Sequence, residues 1–221
     1  MTKLPIQESI KFGWNKFWER PWFFIAVYII LGIFNANYQS SSSNSSDFHF
    51  TPAAVAMLAL LFTIGVAIAL ISIVLRMGEK RLLLNAYENT QSATFKDLWT
   101  THPFWRFICA NLVAGIIIAF GIILLVIPGI IFSLRYMFVG FVVIDKNMRP
   151  FEALRESRRI TDGHKWELLW FGLALVGVNL LGLLCLFVGL LVSVPVSAIA
   201  TVYAYRFLER QASEIVPISA K

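Results

Sequence analysis

Arg135 is the first residue whose chemistry needs explaining. It stands inside an apolar run, LLVIPGIIFSLRYMFVGFVVI. A charge placed in hydrocarbon costs about 2.5–3.5 kcal/mol on insertion scales, so it usually pairs, faces water or carries its head outward on its apolar stem. No acid lies deep in any apolar run of the chain. The open partners are Asp47 in a polar loop, carbonyls freed at Pro128, and a lipid phosphate. Arg135 is therefore either an anchor snorkelling beside Tyr136 or an anion-binding group. Pro128 and Gly129, just before it, should turn the chain: proline cannot continue a helix interior, and glycine supplies positive φ.

The second candidate is the basic segment FEALRESRRITDG, residues 151–163. Pro150 suits the first position of a helix and Gly163 its C-terminal end. Ala153, Leu154, Ser157, Ile160 and Thr161 fall on one face. Glu152 with Arg155, and Glu156 with Arg159, are spaced for surface pairs. Arg155, Arg158 and Arg159 could then meet lipid phosphates or dock a partner. The plainer reading is a solvated helix lying in the interface.

Nothing else suggests catalysis. His49, His102 and His164 are scattered at the edges of apolar runs without metal-ligand spacing. There is no GxSxG, Walker loop, HExxH or CxxC pattern. No catalytic residue, metal site or cofactor is expected. Cys109 and Cys185 lie in apolar runs and read as fillers. Asn111 and Asn179 suit hydrogen bonds between helices, while Gly65–Ala69 and Gly115–Ala119 have the small-residue spacing of close helix contacts. Asn44-Ser45-Ser46 matches a glycosylation sequon, easily generated by a Ser-rich loop.

The elements that carry these residues are set by composition. Of 221 residues, 58% are hydrophobic and 14% charged, with mean hydropathy +0.71. Soluble domains carry about 25% charge. A spanning helix needs about 20 apolar residues. Residues 52–75 and 107–127 meet this without a charge, and 166–205 holds only Glu167, near its start. The expected fold is all-α and polytopic, one membrane domain over 1–221 with about six spans. The spans fall near 21–35, 51–75, 107–125, 130–144, 166–187 and 190–205. The last turn is expected near Gly189 or as late as Pro195. Residues 76–106 are expected to be polar with short helices of their own. Residues 6–20 form an amphipathic helix with Ile6, Ile10, Trp14 and Phe17 near one stripe. No apolar h-region or cleavage site marks a signal peptide, so the first apolar run is expected to be retained.

Charge gives the orientation. Every Lys and Arg except Arg135 falls on one side of this topology, so that side, with both termini, should be cytoplasmic. Trp14, Trp18, Trp22, Trp99, Trp105, Trp166 and Trp170 lie near the same ends, as expected for indole at an interface. The net charge of +6 then points to anionic lipid headgroups as partners. No nucleic-acid motif is present. Another membrane protein or a second copy of the chain are further candidate partners.

A repeat is visible in layout. Trp99 and Trp166, Gly115 and Gly182, Pro128 and Pro195, and Tyr136 and Tyr203 share one spacing. Three units of interfacial helix followed by hairpin result, over 6–76, 93–145 and 151–205, with a tail at 206–221. The 130–144 segment offers only ~22 Å of helix against a ~30 Å core, so these hairpins either cross fully or dip and return.

The stretch LLVIPGIIFSLRYMFVGFVVIDKNMRPFEALRESRRITDGHKWEL resembles a bacterial integral-membrane family of unknown function. That family includes YciC-like inner-membrane proteins and is similar to the membrane domain attached to some glycerophosphoryl diester phosphodiesterases. The shared pattern is Pro128-Gly129, Arg135-Tyr136, Asp145, Ala153-Leu154, Ser157, Thr161 and Gly163. The resemblance implies a bacterial inner-membrane protein and no catalytic residue. The leading functional expectation is a non-enzymatic protein that organises or senses lipid, or scaffolds a partner. The alternative is a transporter or channel for a small or anionic substrate.

Overall fold

Apolar chain in hydrocarbon must bond its own backbone, and a helix does this within one segment. The computed structural model of the chain describes residues 4–36, 52–88, 93, 95–99, 103–184 and 189–215, and all their regular structure is helical. The helices are α1 (Ile6–Glu19), α2 (Pro21–Ala36), α3 (Pro52–Glu88), α4 (Phe104–Leu124), α5 (Val126–Tyr136), α6 (Val139–Lys146), α7 (Pro150–Thr161), α8 (Lys165–Leu184) and α9 (Leu190–Ile215). A short 3-10 helix, Phe95–Trp99, precedes α4.

Among the described residues, five helical segments are long and apolar enough to cross a membrane: Leu60–Glu88, Phe104–Leu124, Pro128–Lys146, Lys165–Leu184 and Leu190–Glu214. The chain is an all-α, multi-pass membrane protein. α2 has 16 residues, or ~24 Å of helix. It is apolar along its length but shorter than the others, as its sequence led one to expect.

Burial divides the molecule into two ends. At one end Phe17, Phe24, Met77, Leu82, Phe138, Val142, Ile160, Leu168, Ile199 and Tyr205 form a close-packed core. It joins α1, the start of α2, the C-terminal half of α3, α6, α7, the start of α8 and α9. At the other end the helices leave their apolar side chains outside. Phe62 is 72%, Ile123 79% and Leu184 73% exposed. Such a surface has no place in water but suits lipid. Trp14, Trp18, Trp22, Trp105, Trp166 and Trp170 are also exposed, consistent with an interfacial belt. The Trp99 side chain, His49, His102, Asp47, Cys185 and the sequon at 44–46 lie outside the described residues.

Several expectations change. α3 does not end near Leu75. It continues through Arg76 to Glu88, because Met77, Gly78, Leu82, Leu83 and Ala86 are buried in the core and hold the helix there. The 3-10 helix is the one short helix between Arg76 and Arg106 among the described residues. It lies against α3 where the Gly78 backbone meets Leu98. In α1 the buried stripe is Ser9, Gly13 and Phe17, seated on α9 at Val196 and Ala200, whereas Trp14 faces out. A side chain at position 13 would collide with the α9 backbone, so the small residue fixes the crossing.

The α4–α5 turn also moves. Its extended residue is Leu125 (φ −163°, ψ 140°), not Pro128-Gly129. Pro128 stands in the first turn of α5, where a missing N–H costs nothing. Gly129 does not have positive φ; Gly163 is the glycine that does, at 87°, among the described residues. Gly129 instead lets the α5 backbone touch Gly121 and Ile122 of α4. Gly182 and Gly189 make the same contact between α8 and α9, so the turn near Gly189 is as expected. Pro195 lies within α9. The 130–144 segment bends at Met137–Phe138, separating α5 from α6.

The repeat has a different register from the one its residue identities suggested. Trp99 lies in the 3-10 helix but Trp166 in the first turn of α8, so they are not equivalent. A shift of 61 residues (105 to 166, 121 to 182) aligns exposed Trp105 with Trp166, buried Phe107 with Leu168, Ala110 with Phe171, and Gly121 with Gly182. Gly65 and Gly115 have open space around them, so neither glycine seats a neighbouring helix among the described residues.

Candidate functional site

α7 is built as the sequence suggested. It starts at Pro150 and buries Ala153, Leu154, Ser157, Ile160 and Thr161. Glu152 turns back to accept a hydrogen bond from the Arg149 N–H at 3.2 Å, satisfying a donor at the helix start. Gly163 adopts the left-handed conformation just beyond the end.

The bend after α5 explains where α7 docks. The last carbonyls of a helix lack partners within it. The Arg135 carbonyl is one of them. It accepts from Ser157 Oγ at 2.8 Å, with Thr161 Oγ1 at 3.4 Å. Arg135 therefore lies ten residues beyond Leu125, ~15 Å along the helix. That puts it at the level of α7 rather than close to the turn. Its Nε is buried with no hydrogen-bond partner. Neighbouring Tyr136 stacks on Phe132, with ring centroids 6.5 Å apart.

The α7 arginines divide. Arg159 is occupied: its Nε reaches Glu156 Oε2 and one terminal nitrogen reaches Oε1, each at 2.8 Å, while another donates to the Ala212 carbonyl of α9 at 3.0 Å. It is an internal brace. Arg155 and Arg158 are exposed on the outer face, without an ion pair among the described residues. Arg158 sits beside Ser157, on the turn of α7 that touches Arg135. Arg135 of α5 and Arg155 and Arg158 of α7 are thus not spent on a protein carboxylate among the described residues.

A second set of charges ties the helices together. Lys146 of α6 binds Glu156 of α7 and Glu209 of α9, each at 2.9 Å. Arg206 of α9 grips both oxygens of Asp145 at 2.8 Å and adds Glu209 at 3.0 Å. Tyr205 donates to Asp145 at 2.9 Å. Hydrogen bonds from Arg159 and then Lys146 hold the Glu156 carboxyl well below the usual range, at about 2. Arg159 is pushed up, chiefly by its hydrogen bond to Glu156. His164 pairs with Glu167 at 2.9 Å. Asp145 and His164 are therefore engaged in separate contacts, Asp145 with Arg206 and Tyr205 and His164 with Glu167. No group of three potential metal ligands occurs among the described residues.

Sequence reasoning missed one constellation. Arg76, Glu79 and Lys80 of α3 share a helix face at spacings of three and four; the two basic residues served only as marks of topology and Glu79 was not weighed. Tyr28 of α2 donates to Glu79 at 2.8 Å. The Lys80 ammonium lies 4.3 Å from the Phe141 ring centre, and its stem occupies the room that Gly140 leaves. Two cavities, about 420 and 400 Å³, flank this turn, and Arg76 and Glu79 line both. The available signal was an acid and two bases within five residues, directly after an uncharged apolar run. Asn111 borders the second cavity but bonds to its own helix at Phe107. Asn179 meets the expectation of an interhelical bond, linking to Ser193 and Ser197 of α9.

Residues 55–212 match the family described as Protein of unknown function (DUF975). The chain belongs to this family. An uncharacterised family was expected; the narrower likenesses, to YciC-like proteins and phosphodiesterase-linked domains, are not what the match names. Relatives of the DUF975 chain include uncharacterized proteins of Mycobacterium bovis and Mycobacterium tuberculosis. Each is 30% identical over 176 residues, covering 78% of this chain and 52% of the relative. The chain spans about half the length of the curated relatives it matches. No solved structure matches it significantly.

Proposed function

We propose that this DUF975 chain is a non-enzymatic protein of the bacterial cytoplasmic membrane that binds anionic phospholipid headgroups at its basic end. Both termini face the cytoplasm in this reading, which rests on the Lys/Arg bias. One observation carries the binding site: Arg135, whose carbonyl docks α7, has a buried, unbonded Nε, and the exposed face of α7 adds Arg155 and Arg158 at the same end of the molecule. Buried donors are normally satisfied. A guanidinium matches phosphate with two parallel hydrogen bonds and retains its charge at any working pH. The separate commitments of Asp145 and His164 support a role without catalysis.

Native mass spectrometry of the gently solubilised chain tests this directly. Wild type should retain an anionic phospholipid that Arg135→Gln loses, with Arg155→Gln/Arg158→Gln weakening it further. Equal retention in wild type and Arg135→Gln would sink the site. Orientation has its own test. A fluorescent protein fused after residue 221 should fluoresce, whereas alkaline phosphatase fused there should be inactive; the reverse pattern overturns the assignment.

A further inference from the structure

The charged turn of α3 offers different chemistry from the arginines at α7. Two cations and one carboxylate stand within five residues, with Glu79 and Lys80 half-buried and Arg76 exposed. Phosphate alone would be drawn to the positive charge of Lys80 and Arg76 but would meet repulsion from Glu79. An ammonium alone would meet the opposite problem. A ligand carrying both groups, a few bonds apart, answers Glu79 and Lys80 together, and its phosphate adds to the charge contacts of Arg76 at the cavity wall. We propose that this turn binds a zwitterionic phospholipid with a primary amine, an ethanolamine-type headgroup, its phosphate on Arg76 and Lys80 and its ammonium on Glu79.

Several observations favour this ligand. Tyr28 donates one hydrogen bond to Glu79 Oε1, and a carboxylate accepts about four in all. The carboxylate is thus oriented while keeping acceptor capacity for an amine. The ring of Phe141 under Lys80 holds that ammonium in place without consuming its three donors. Both flanking cavities, about 420 and 400 Å³, lie in the range of small-ligand sites, roughly 300–1,000 Å³. Their remaining walls are apolar, with Leu190, Leu191 and Val194 on one side and Ile73, Ile108 and Leu112 on the other. Leu112, Leu191 and Val194 are exposed on the surface suited to lipid. A charged floor with apolar walls fits an amphiphile better than a soluble metabolite. Glu79 provides the selectivity, because it disfavours purely anionic lipids.

The test uses the full-length chain in detergent, titrated with three lipids of matched acyl chains and read by native mass spectrometry. These are phosphatidylethanolamine, phosphatidylcholine and phosphatidylglycerol. Wild type should retain the ethanolamine lipid roughly tenfold better than the choline lipid, because a quaternary ammonium has no N–H for Glu79. Glu79→Gln should remove that preference, and Tyr28→Phe should reduce it. Arg135→Gln should leave it intact while lowering phosphatidylglycerol retention, so the two sites succeed or fail separately. Equal retention of ethanolamine and choline lipids by wild type overturns the proposal, and this comparison needs no variant to fold. So does a preference that survives Glu79→Gln, or one abolished by Arg135→Gln alone.

Discussion

Glu156 binds two cations, Lys146 on α6 and Arg159 on its own helix. Their hydrogen bonds lower its folded pKa from the ordinary 4.5 to about 2. The unfolded chain binds the proton more readily, so the stabilisation is fully present above pH 4.5. It is lost as pH falls toward 2. Thermal unfolding in detergent should show this acid-side loss in wild type, and Glu156→Gln should flatten it. Arg206 offers a larger effect. Removing one partner of a largely buried pair leaves the other charge stranded, at a cost of about 3 kcal/mol or more. Arg206→Leu should therefore lower the melting temperature far more than Tyr205→Phe, which deletes one hydrogen bond to a carboxylate, about 1.5 kcal/mol. A smaller loss for Arg206→Leu than for Tyr205→Phe would contradict this ranking. At this scale the sequence was partly legible. The buried face of α7 and its Gly163 cap followed from spacing, because amphipathic period and terminal glycine are local properties. The commitment of Arg159 to Glu156 and Ala212, and the roles of Glu79 and Tyr28, depend on contacts between distant segments that no local pattern encodes.

At the scale of elements, glycine backbone contacts close both hairpins. Gly121 meets Gly129, and Gly182 meets Gly189. Gly182→Val should push α8 from α9 and cost about 1–3 kcal/mol by overpacking. Gly115→Ala, in open space on α4, should instead be neutral or stabilise by about 0.5–1 kcal/mol, since alanine is the better helix former. Melting temperatures of the two variants in one detergent check the contrast; equal losses would mean these contacts do not hold the hairpin. Which glycines make contacts was not readable in advance. Gly65 and Gly115 each begin a pair with the expected four-residue spacing, yet within the hairpins the contacts form at glycines beside the turns. Spacing identifies a smooth helix face, but the neighbour that uses it is fixed by chain reversal. The continuation of α3 past Arg76 was hidden for a related reason: charges ended the apolar run, while burial of Met77, Leu82 and Leu83 kept the helix intact.

For the whole molecule, composition was the strongest signal, because a chain with so few charges cannot cover itself in water. The all-helical, multi-pass architecture follows from that limit and from the backbone's need for internal hydrogen bonds. The exposed indoles of Trp105 and Trp166 occupy equivalent places in the two hairpin units. They should lie at one depth in a bilayer. Single-tryptophan variants quenched by lipids brominated at stepped acyl positions should give matching profiles with shallow maxima. Different depths would show that the two hairpins enter the membrane unequally.

The uneven distribution of packing has a mechanical consequence. Ion pairs and a dense core clasp the helices at one end, while their apolar tips stay exposed on the surface suited to lipid. A rod fixed at its base deflects most at its free end. A change in lateral pressure near the tips should therefore splay or draw in the hairpins while the clasped base holds its shape. The base in turn receives each deflection as torque on α3, whose last turn is tied to Arg206 through Glu88. The fold should thus respond as a set of cantilevers on a common mount, most compliant at its exposed apolar tips.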